Sequence, residues 1–384
     1  MIVERQKQLV LSPVGISLFF NSLESDEKDL RREINQHSND VELPSELAAQ
    51  AGELAQRAAE KLHTGSVSER RRLSAELNGL YALYENHLEA SADMHLLVAT
   101  DTALGKKAAE TIENFLREDI GIKNIDTFVP SKLSTGSVAN FSYGIKELLN
   151  HFEKIIPPYS AQEYKIIFNL TGGFKSLQGY LNIIGMFYAD RLVYIFERSD
   201  ELLNIPRLPL KIDEAKLNPY ANELARLAAG GVYLRSELHI TGALLDVDGN
   251  KDATLSDWGQ LLWNRLKDPL LAEKLLELPY IEYENSFKKD WKKFKDKSLR
   301  IKLQETVCQA SVMLEEAKGD ITALKRSGGM LYDNYEEKRL PSGLPIGHFR
   351  IDDGNRVTCT YQGNKLSLRH FGSHDYTERA EGVR

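Results

Sequence analysis

The sequence predicts an α/β protein in three parts: an N-terminal doubly wound parallel sheet, a small connector of helices and a hairpin, and a C-terminal α+β domain with an antiparallel sheet. We place these parts at residues 1–213, 214–279 and 280–384. Short apolar strands alternate with helices in the first part, which is typical of a parallel sheet. Three short strands separated by turn residues close the third part. A chain of 384 residues is long enough for two or three domains.

The first part is organised around residues 164–179, YKIIFNLTGGFKSLQG. The apolar run at its start predicts a strand buried on both faces of a parallel sheet. Gly172 and Gly173 then allow a tight turn close to a ligand. We expect Ser176 to cap the following helix, whose N terminus favours an anion, with Lys175 adding a positive charge. An ordinary turn with a solvated lysine is supported equally well by the residues alone, and the stretch lacks the spacing of a Walker A loop.

A second loop of the same kind lies near the start of the chain. A strand over residues 9–11 ends at Ser12, Pro13, Val14 and Gly15. Taken alone, this pattern favours an ordinary proline-glycine turn. Because both loops follow strands of one predicted parallel sheet, we expect them to share the crevice at its carboxyl edge, where such sheets bind ligands.

The remaining elements of the first part alternate in the same way. Residues 22–92 are charged and helical. We expect strands at 94–100, 124–129 and 191–197, helices at 102–117, 139–155 and 177–189, a break at Pro157-Pro158, and an extended run at 205–212. This alternation predicts right-handed crossovers between parallel strands.

Three segments, LSPVGISLFFN, NLTGGFK and YIFERSDELLNIPRLPL, resemble in motif and order the CARF sensor domain of CRISPR-associated proteins. The resemblance covers residues 1–213 and implies a Rossmann-like homodimer that binds a cyclic oligoadenylate, with the tetra-adenylate favoured and no other cofactor. A ring with two-fold symmetry is best met by a symmetric dimer site. Ile16 stands where the family often has threonine. The implied ligand-binding residues are Ser12, Pro13, Gly15, Thr171, Gly172, Gly173 and Lys175.

The connector, residues 214–279, has a different character. Its pattern is similar to a winged helix, but the face that would recognise DNA is not basic. We therefore favour a structural connector or dimer module over a DNA reader. The expected elements are a helix over 220–229 ending at Gly230-Gly231, a strand pair over 232–247, a turn at Asp248-Gly249-Asn250 and a helix capped by Ser256.

A basic run at residues 288–302 contains eight lysines and arginines against two aspartates, in a chain of net charge −7. Phe287, Trp291 and Phe294 are spaced for an inward apolar stripe on a helix, so we expect the lysines to point outward. Such a single-signed surface favours a polyanion partner over a merely solvated face. We expect RNA or ribosome contacts from Lys288, Lys292 and Lys295.

The end of the chain combines short strands with histidines and cations. We expect helices at 299–317 and 321–338, then strands at 346–351, 357–361 and 365–371. The candidate catalytic residues are Arg350, Arg356, Arg369, His370, His374 and Tyr376, with His348 and Lys365 nearby. Neither a carboxylate pair, a nucleophile with its base nor a metal-ligand spacing accompanies them, so we expect no metal. Cations with a histidine and a tyrosine suit metal-free RNA cleavage, and a basic binding surface without catalysis stays open.

The segment PIGHFRIDDGNRVTCTYQGNKLSLRHFGSHDYTE resembles the RelE/HigB toxin superfamily, whose members cut mRNA, many of them on the ribosome. The resemblance spans residues 280–384. It implies that Arg350 is a basic strand residue, Arg356 the phosphate-binding arginine, and His374 and Tyr376 the C-terminal catalytic and stacking groups. Asp352 stands where some relatives have a second lysine, which leaves the general base open.

A competing motif is the Arg-x4-His pattern of HEPN ribonucleases, which Arg369 and His374 match. In that family the motif lies on a helix. Here Leu366 and Leu368 alternate as in a strand, so we prefer the RelE-like interpretation.

Together the two halves resemble the CRISPR-associated mRNA interferases, in which a CARF sensor is fused to a RelE-like nuclease. The resemblance implies a metal-independent endoribonuclease that is silent until its sensor binds the ring, then cuts mRNA on the ribosome. We also expect the sensor to linearise the ring slowly, with Ser12 and Lys175 aligning a ribose 2′-hydroxyl with its phosphate without a metal. The alternative is a ring-gated DNA-binding regulator that uses the connector. Two cysteines, Cys308 and Cys359, exclude a disulfide framework and suit the cytoplasm, and we expect no membrane contact.

Overall fold

The computed structural model describes residues 6–88, 92–196, 199–210, 213–240, 242–249, 251–326 and 330–383. The chain divides into two compact units, Met1–Lys211 and Ile212–Arg384. Each unit contains a hydrophobic core made of its own residues. None of the described helices is both long enough and apolar enough to cross a membrane.

The first unit is built on a six-stranded sheet. Its elements are β1 Gln8–Pro13, α1 Ser17–Ser22, α2 Lys28–Gln36, α3 Ser45–Thr64, α4 Val67–Leu73, α5 Ala75–Leu83, β2 Met94–Val98, α6 Ala103–Asn114, β3 Ile125–Phe128, α7 Val138–Ala161, β4 Lys165–Asn169, α8 Lys175–Tyr188, β5 Arg191–Ile195 and β6 Leu202–Ile205. The strand order is β3-β2-β1-β4-β5-β6, with β1 to β5 parallel and β6 antiparallel to β5. This confirms the predicted parallel sheet, whose strand order reverses between β1 and β4.

The two central strands are apolar because both faces of the sheet are covered. Val10 and Leu11 in β1, and Ile167 and Phe168 in β4, are each at most 1% exposed. A strand buried on both faces is a continuous apolar run, whereas a half-exposed strand alternates. The run that predicted the central strand thus follows from its position in the middle of the sheet.

The expected break at Pro157 and Pro158 is wrong, because α7 continues through both prolines to Ala161. The prolines remove two backbone donors. Ile156 nevertheless packs in the core at 4% exposure, and the N–H of Gln162 donates to the Pro158 carbonyl at 3.2 Å. Packing and this last bond keep the end of the helix intact.

The strand ends also differ from the prediction. β1 runs beyond residues 9–11 and includes Ser12 and Pro13. β6 was missed, and the expected extended run at 205–212 begins only where β6 ends. The predicted ends of the strand 191–197 and of that run lie outside the described residues.

The second unit contains a five-stranded and a three-stranded sheet. Its elements are α9 Glu214–Leu217, α10 Ala221–Ala228, β7 Tyr233–Leu234, β8 Leu245–Val247, β9 Asp252–Leu255, α11 Asp257–Glu273, β10 Ile281–Tyr283, α12 Asn285–Lys293, α13 Lys297–Glu316, α14 Ala323–Arg326, β11 Asp333–Arg339, β12 Pro345–Arg350, β13 Asn355–Gln362, β14 Lys365–Ser373 and α15 His374–Ala380. The larger sheet, β10-β14-β13-β12-β11, is antiparallel except for the β10–β14 pair. Its last three strands confirm the predicted antiparallel sheet at the end of the chain.

One buried cluster links residues from both predicted segments of this unit. Leu224 and Trp263, from the segment named the connector, share this cluster with Phe287 and Phe371. The predicted apolar stripe is confirmed, since Phe287 and Trp291 are buried. The lysines between them are exposed, as expected.

Two predictions in the second unit are wrong, namely the helix over residues 321–338 and the strand pair over residues 232–247. Residues 321–338 were expected to be helical, but they form the short α14 and then the strand β11. The charged sequence of β11 suits an exposed edge strand as well as a helix surface, so its pattern did not discriminate. Residues 232–247 yield β7 and β8, which both pair with β9 and not with each other. Asn250, in the expected turn between strands, lies outside the described residues. The basic run at residues 288–302 extends over two helices, because α12 ends at Lys293 and α13 starts at Lys297.

A bulge interrupts the regular alternation of β14. Leu368 and Phe371 are both fully buried. In a regular strand, residues three positions apart point to opposite faces of the sheet. The pairing with β13 shifts by one residue between them and leaves Arg369 without a partner residue on that strand. After the bulge, the side chains that face the core are therefore shifted by one position in the sequence, and Arg369 does not join their alternation.

Candidate functional site

The loops after β1 and β4 meet at the carboxyl edge of the first sheet. The two strands are neighbours, and the strand order reverses between them. This is the position at which open α/β sheets form a ligand crevice. A Cβ atom on Gly15 would lie 3.4 Å from the Cα of Gly173. The structure thus confirms that the two predicted loops share one crevice.

A buried carboxylate occupies the inner side of this crevice. Glu76, in the first turn of α5, is 0% exposed. Its Oε1 accepts hydrogen bonds from the backbone N–H of Gly15 at 2.7 Å and of Gly173 at 3.2 Å. The amides of two predicted ligand-binding residues are therefore already engaged inside the chain. Sequence reasoning missed Glu76 because it lies in the charged helical segment at residues 22–92, where nothing in the sequence distinguishes it from the other glutamates.

Ser12 and Pro13 lie within β1 and not at a loop tip. The side chain of Ser12 is 1% exposed, and its Oγ accepts from Nδ2 of Asn169 at 3.1 Å. Oδ1 of Asn169 accepts from the N–H of Thr171 at 3.3 Å. Pro13 packs beside Gly173. These contacts tie the ends of β1 and β4 together.

Lys175 is the first residue of α8, and its side chain is exposed. Within the described part of the chain it has no hydrogen bond or ion pair. The expected cap at Ser176 is wrong, since Ser176 lies inside the helix and Phe174 precedes the first turn without a capping side chain. The hydroxyl of Thr171 is buried and has no partner among the described residues. An available cation and an uncapped helix N terminus therefore face this edge.

A cavity of about 140 Å³ opens at the same edge. It is lined by residues from the loops after four strands, together with the segment after α2: Gly15, Ile16, Ser38, Asn39, Thr100, Thr135 and Phe174. Pockets that bury a nucleotide-sized ligand have volumes of roughly 300–1,000 Å³. The cavity of one chain is therefore smaller than such a ligand requires.

The second candidate site lies on the polar face of the larger sheet. Arg350 on β12 and Arg356 on β13 are directly paired, so their side chains leave the sheet on one face. His348 shares that face, two residues before Arg350. No ion pair of Arg350 is present within the described residues. Two adjacent arginines of this kind suit a phosphate group, which accepts several charge-assisted hydrogen bonds.

The surroundings of His348 on this face change the pKa of its imidazole. Its ring packs on Tyr335 with centroids 4.4 Å apart, and its Nδ1 is buried without a partner among described residues. Burial and the nearby positive charges of Arg356 and His374 lower the pKa of His348, although Asp333 and Glu378 oppose the shift. His348 is therefore neutral near pH 7. Tyr335 was missed because it lies in the segment that was predicted to be helical.

His370 and Tyr376 form a separate cluster around Asp290. Nδ1 of His370 lies 2.9 Å from a carboxylate oxygen of Asp290, and the Tyr376 hydroxyl donates to the other oxygen. Burial, followed by this hydrogen bond, raises the pKa of Tyr376 to about 12. Asp290 is 4% exposed and also accepts from the N–H of Phe371, so it covers the free edge of β14. This cluster joins α12, β14 and α15.

Arg369 is held between two carboxylates. Its guanidinium donates to Glu381 at 3.0 Å and to Glu284 at 3.0 Å. Burial lowers its pKa, but the bonds to Glu381 and Glu284 outweigh burial and the net direction is upward. The side chain of Glu381 is only 2% exposed. Arg369 has no hydrogen bond or ion pair with Arg356, His348 or His374 among the described residues. His370 nevertheless shares the sheet face of His348, because both residues pair with Thr358.

One group of side chains has the spacing of metal ligands. Oxygen and nitrogen atoms of His374, Asp375 and Glu378 lie within 4.8 Å of one another. The closest approach, 3.0 Å, is between His374 Nε2 and Glu378 Oε1. Sequence reasoning expected no metal and did not consider this i, i+1, i+4 spacing. Calcium and magnesium bind through oxygen ligands, whereas zinc accepts this mixed set.

The basic residues Lys288, Lys292 and Lys295 are all exposed on or just after α12. Phe287 and Trp291, on the same helix, are buried. The expected basic surface is therefore present, and its proposed RNA or ribosome contacts stay a prediction.

Residues 71–208 match a family described as CRISPR-associated protein (Cas_APE2256). The matched segment contains Glu76, β2 to β6 and the whole Thr171 to Lys175 loop. This match supports a CRISPR-associated protein and includes the loop after β4, whereas the loop after β1 lies outside the matched residues.

Proposed function

We propose that this chain is an endoribonuclease of CRISPR-based antiviral defence, activated when its first unit binds a cyclic oligoadenylate. The family match supports a CRISPR-related role. The single observation that carries the proposal is the pairing of Arg350 with Arg356 beside His348 and His374, because this set supplies charge stabilisation and proton transfer without a metal.

The activator is proposed to bind at the crevice of the first unit, with Lys175 holding a phosphate. A cavity of about 140 Å³ in one chain is too small for a ring of nucleotides. A homodimer that places two such crevices across a two-fold axis would double the lining and match the ring's symmetry. Slow linearisation of the ring by the sensor is part of the proposal. Lys175 is exposed at the crevice, whereas Ser12 is buried at the end of β1.

The RNA is proposed to be cut by its own 2′-hydroxyl. Neutral His348 takes the proton of that hydroxyl, and its oxygen forms a bond to phosphorus. Arg350 and Arg356 stabilise the additional charge on the phosphate oxygens. Protonated His374 then gives a proton to the leaving 5′-oxygen as its bond to phosphorus breaks. The products are a 2′,3′-cyclic phosphate and a 5′-hydroxyl end.

The test combines the purified chain with ribosomes, mRNA and a panel of cyclic oligoadenylates, with and without a metal chelator. We expect cleavage only with a matching ring, 2′,3′-cyclic phosphate ends, and no loss of rate on chelation. Absence of cleavage with every ring would reject the proposed activity. Rate loss on chelation would instead assign a metal to His374, Asp375 and Glu378. A ring-dependent shift of duplex DNA without RNA cleavage would favour the regulator.

A further inference from the structure

Two backbone amides from different loops converge on one oxygen atom in the first unit. Gly15 follows β1 and Gly173 follows β4. The backbone N–H of Gly15 donates to Oε1 of Glu76 at 2.7 Å, and that of Gly173 donates to the same oxygen at 3.2 Å. Converging N–H groups of this kind form the concave anion sites that proteins use for phosphates and oxyanions. Here the anion belongs to the protein.

The second oxygen of this carboxylate is also bound. Oε2 of Glu76 accepts from Oγ of Ser74 at 2.6 Å and lies 3.5 Å from Oγ of Ser17. None of the described cations forms an ion pair with Glu76, which is 0% exposed. A carboxylate this deeply buried is tolerated when hydrogen-bond donors surround it. Its four donors come from three separate segments of the chain.

Gly172 shows that the loop is shaped around this carboxylate. A Cβ atom at Gly172 would lie 2.3 Å from Cγ of Glu76. Gly173 adopts φ +81°, a conformation that favours glycine. The two glycines after β4 therefore leave room for the side chain of Glu76, and they also bring the backbone close to the crevice.

We propose that Glu76 is an internal anion that occupies the amide nest of Gly15 and Gly173 and thereby holds both loops in the geometry that binds the cyclic oligoadenylate. This rests on the proposed function. The ligand phosphates are then met by Lys175 and the N terminus of α8, and not by these two amides. Glu76 is a positioning residue, because it acts through the loops and does not touch the ligand.

The physical consequence is preorganisation. Loops that are fixed before binding lose less conformational freedom when the ligand arrives. Removing the carboxylate leaves two inward N–H groups without an acceptor and releases the loops. Affinity for the ring then falls even though no ligand contact has been deleted.

The test compares Glu76→Ala, Glu76→Gln and the matched control Glu46→Ala, whose side chain is exposed on α3. Calorimetry measures cyclic tetra-adenylate binding to the full chain, and thermal melts are recorded at increasing acetate concentration. Acetate is the fragment that Glu76→Ala deletes. We expect about a 10-fold or larger loss of affinity in Glu76→Ala, a smaller loss in Glu76→Gln, and recovery of both affinity and melting temperature of Glu76→Ala with acetate.

Each other outcome has a defined meaning. Tighter ring binding by Glu76→Ala would show that ligand phosphate competes for the nest, and unchanged affinity would show that the nest does not position the site. Either result overturns the proposal, as does a melting temperature that acetate does not change. Should Glu76→Ala fail to fold, an unchanged affinity of the isosteric Glu76→Gln would overturn it. If the wild-type chain binds no ring, the proposed function fails, whereas acetate-dependent melting still tests the nest.

Discussion

Nε2 of His374 lies 3.0 Å from Oε1 of Glu378, one turn further along α15. His374 is also close enough to His348 on β12 for a positive charge on its ring to lower the pKa of His348. The C-terminal helix therefore contributes a histidine to a face that is otherwise built from strands.

Loss of either proposed catalytic group should abolish most RNA cleavage. We expect Arg356→Ala and His374→Ala each to lower the rate by about 100-fold or more, because each removes one charge-stabilising or proton-transfer group. Ring binding should not change. The measurement is a single-turnover assay on ribosome-engaged mRNA, with Arg379→Ala as the matched control on the exposed side of α15. Parental rates in both variants would exclude this site.

Arg369→Ala should reduce stability more than any other substitution among the candidate catalytic residues. It leaves the nearly buried Glu381 without its cation, and breaking such a buried pair costs roughly 3–5 kcal/mol. Urea denaturation of the full chain, followed by a probe in the second unit, measures this loss. Arg350→Ala is the control, since its side chain lacks an ion pair among described residues. A fully stable but inactive Arg369→Ala protein would revive the HEPN-like mechanism.

Lys175→Ala should weaken ring binding by about 2 kcal/mol or more per symmetric pair, because charge-assisted bonds to phosphate are strong. Titration calorimetry gives the affinity directly. Lys123→Ala is the matched control, because this exposed lysine precedes β3 and lies at the opposite edge of the sheet. Equal affinities for Lys175→Ala and the parent would remove Lys175 from the site.

The stability of the first unit should fall in mild acid through His151. Its ring stacks on Phe128 with centroids 3.6 Å apart, and burial lowers its pKa while Asp126 opposes the shift. A histidine with a lowered folded-state pKa stabilises the fold above its unfolded pKa of about 6.5, and this contribution is lost as the pH falls. His151→Phe keeps the stacking and should flatten the decline of melting temperature on acidification. The exposed His87→Gln should leave the decline unchanged.

The core of the first unit was predictable because burial on both faces leaves a direct pattern in the sequence. The apolar runs of β1 and β4 and the glycines that follow them located the crevice correctly. Glu76 was not predictable, because its role depends on which loop amides face inward, and a glutamate in a helical first turn is ordinarily a surface residue.

The second site was predicted in its residues but not in its grouping. Arg350, Arg356 and His374 were identified as candidates, yet no pattern indicated that Arg369 binds Glu284 and Glu381 or that Asp290 binds His370. Those partners lie 12 to 85 positions away along the chain. Glu284 and Asp290 lie outside the last forty residues, so spacing within that segment could not reveal them.

The bulge in β14 gives this strand one position at which its length can change. Arg369 has no partner residue on β13, so deleting it would leave Leu368 and His370 opposite consecutive residues of that strand, with Phe371 still facing the core. A one-residue deletion in the regularly paired part of β14 would instead turn the side chains that follow it onto the opposite face. Tolerance of a single-codon deletion is therefore confined to the bulge, where its cost is the loss of the ion pairs of Arg369 with Glu284 and Glu381.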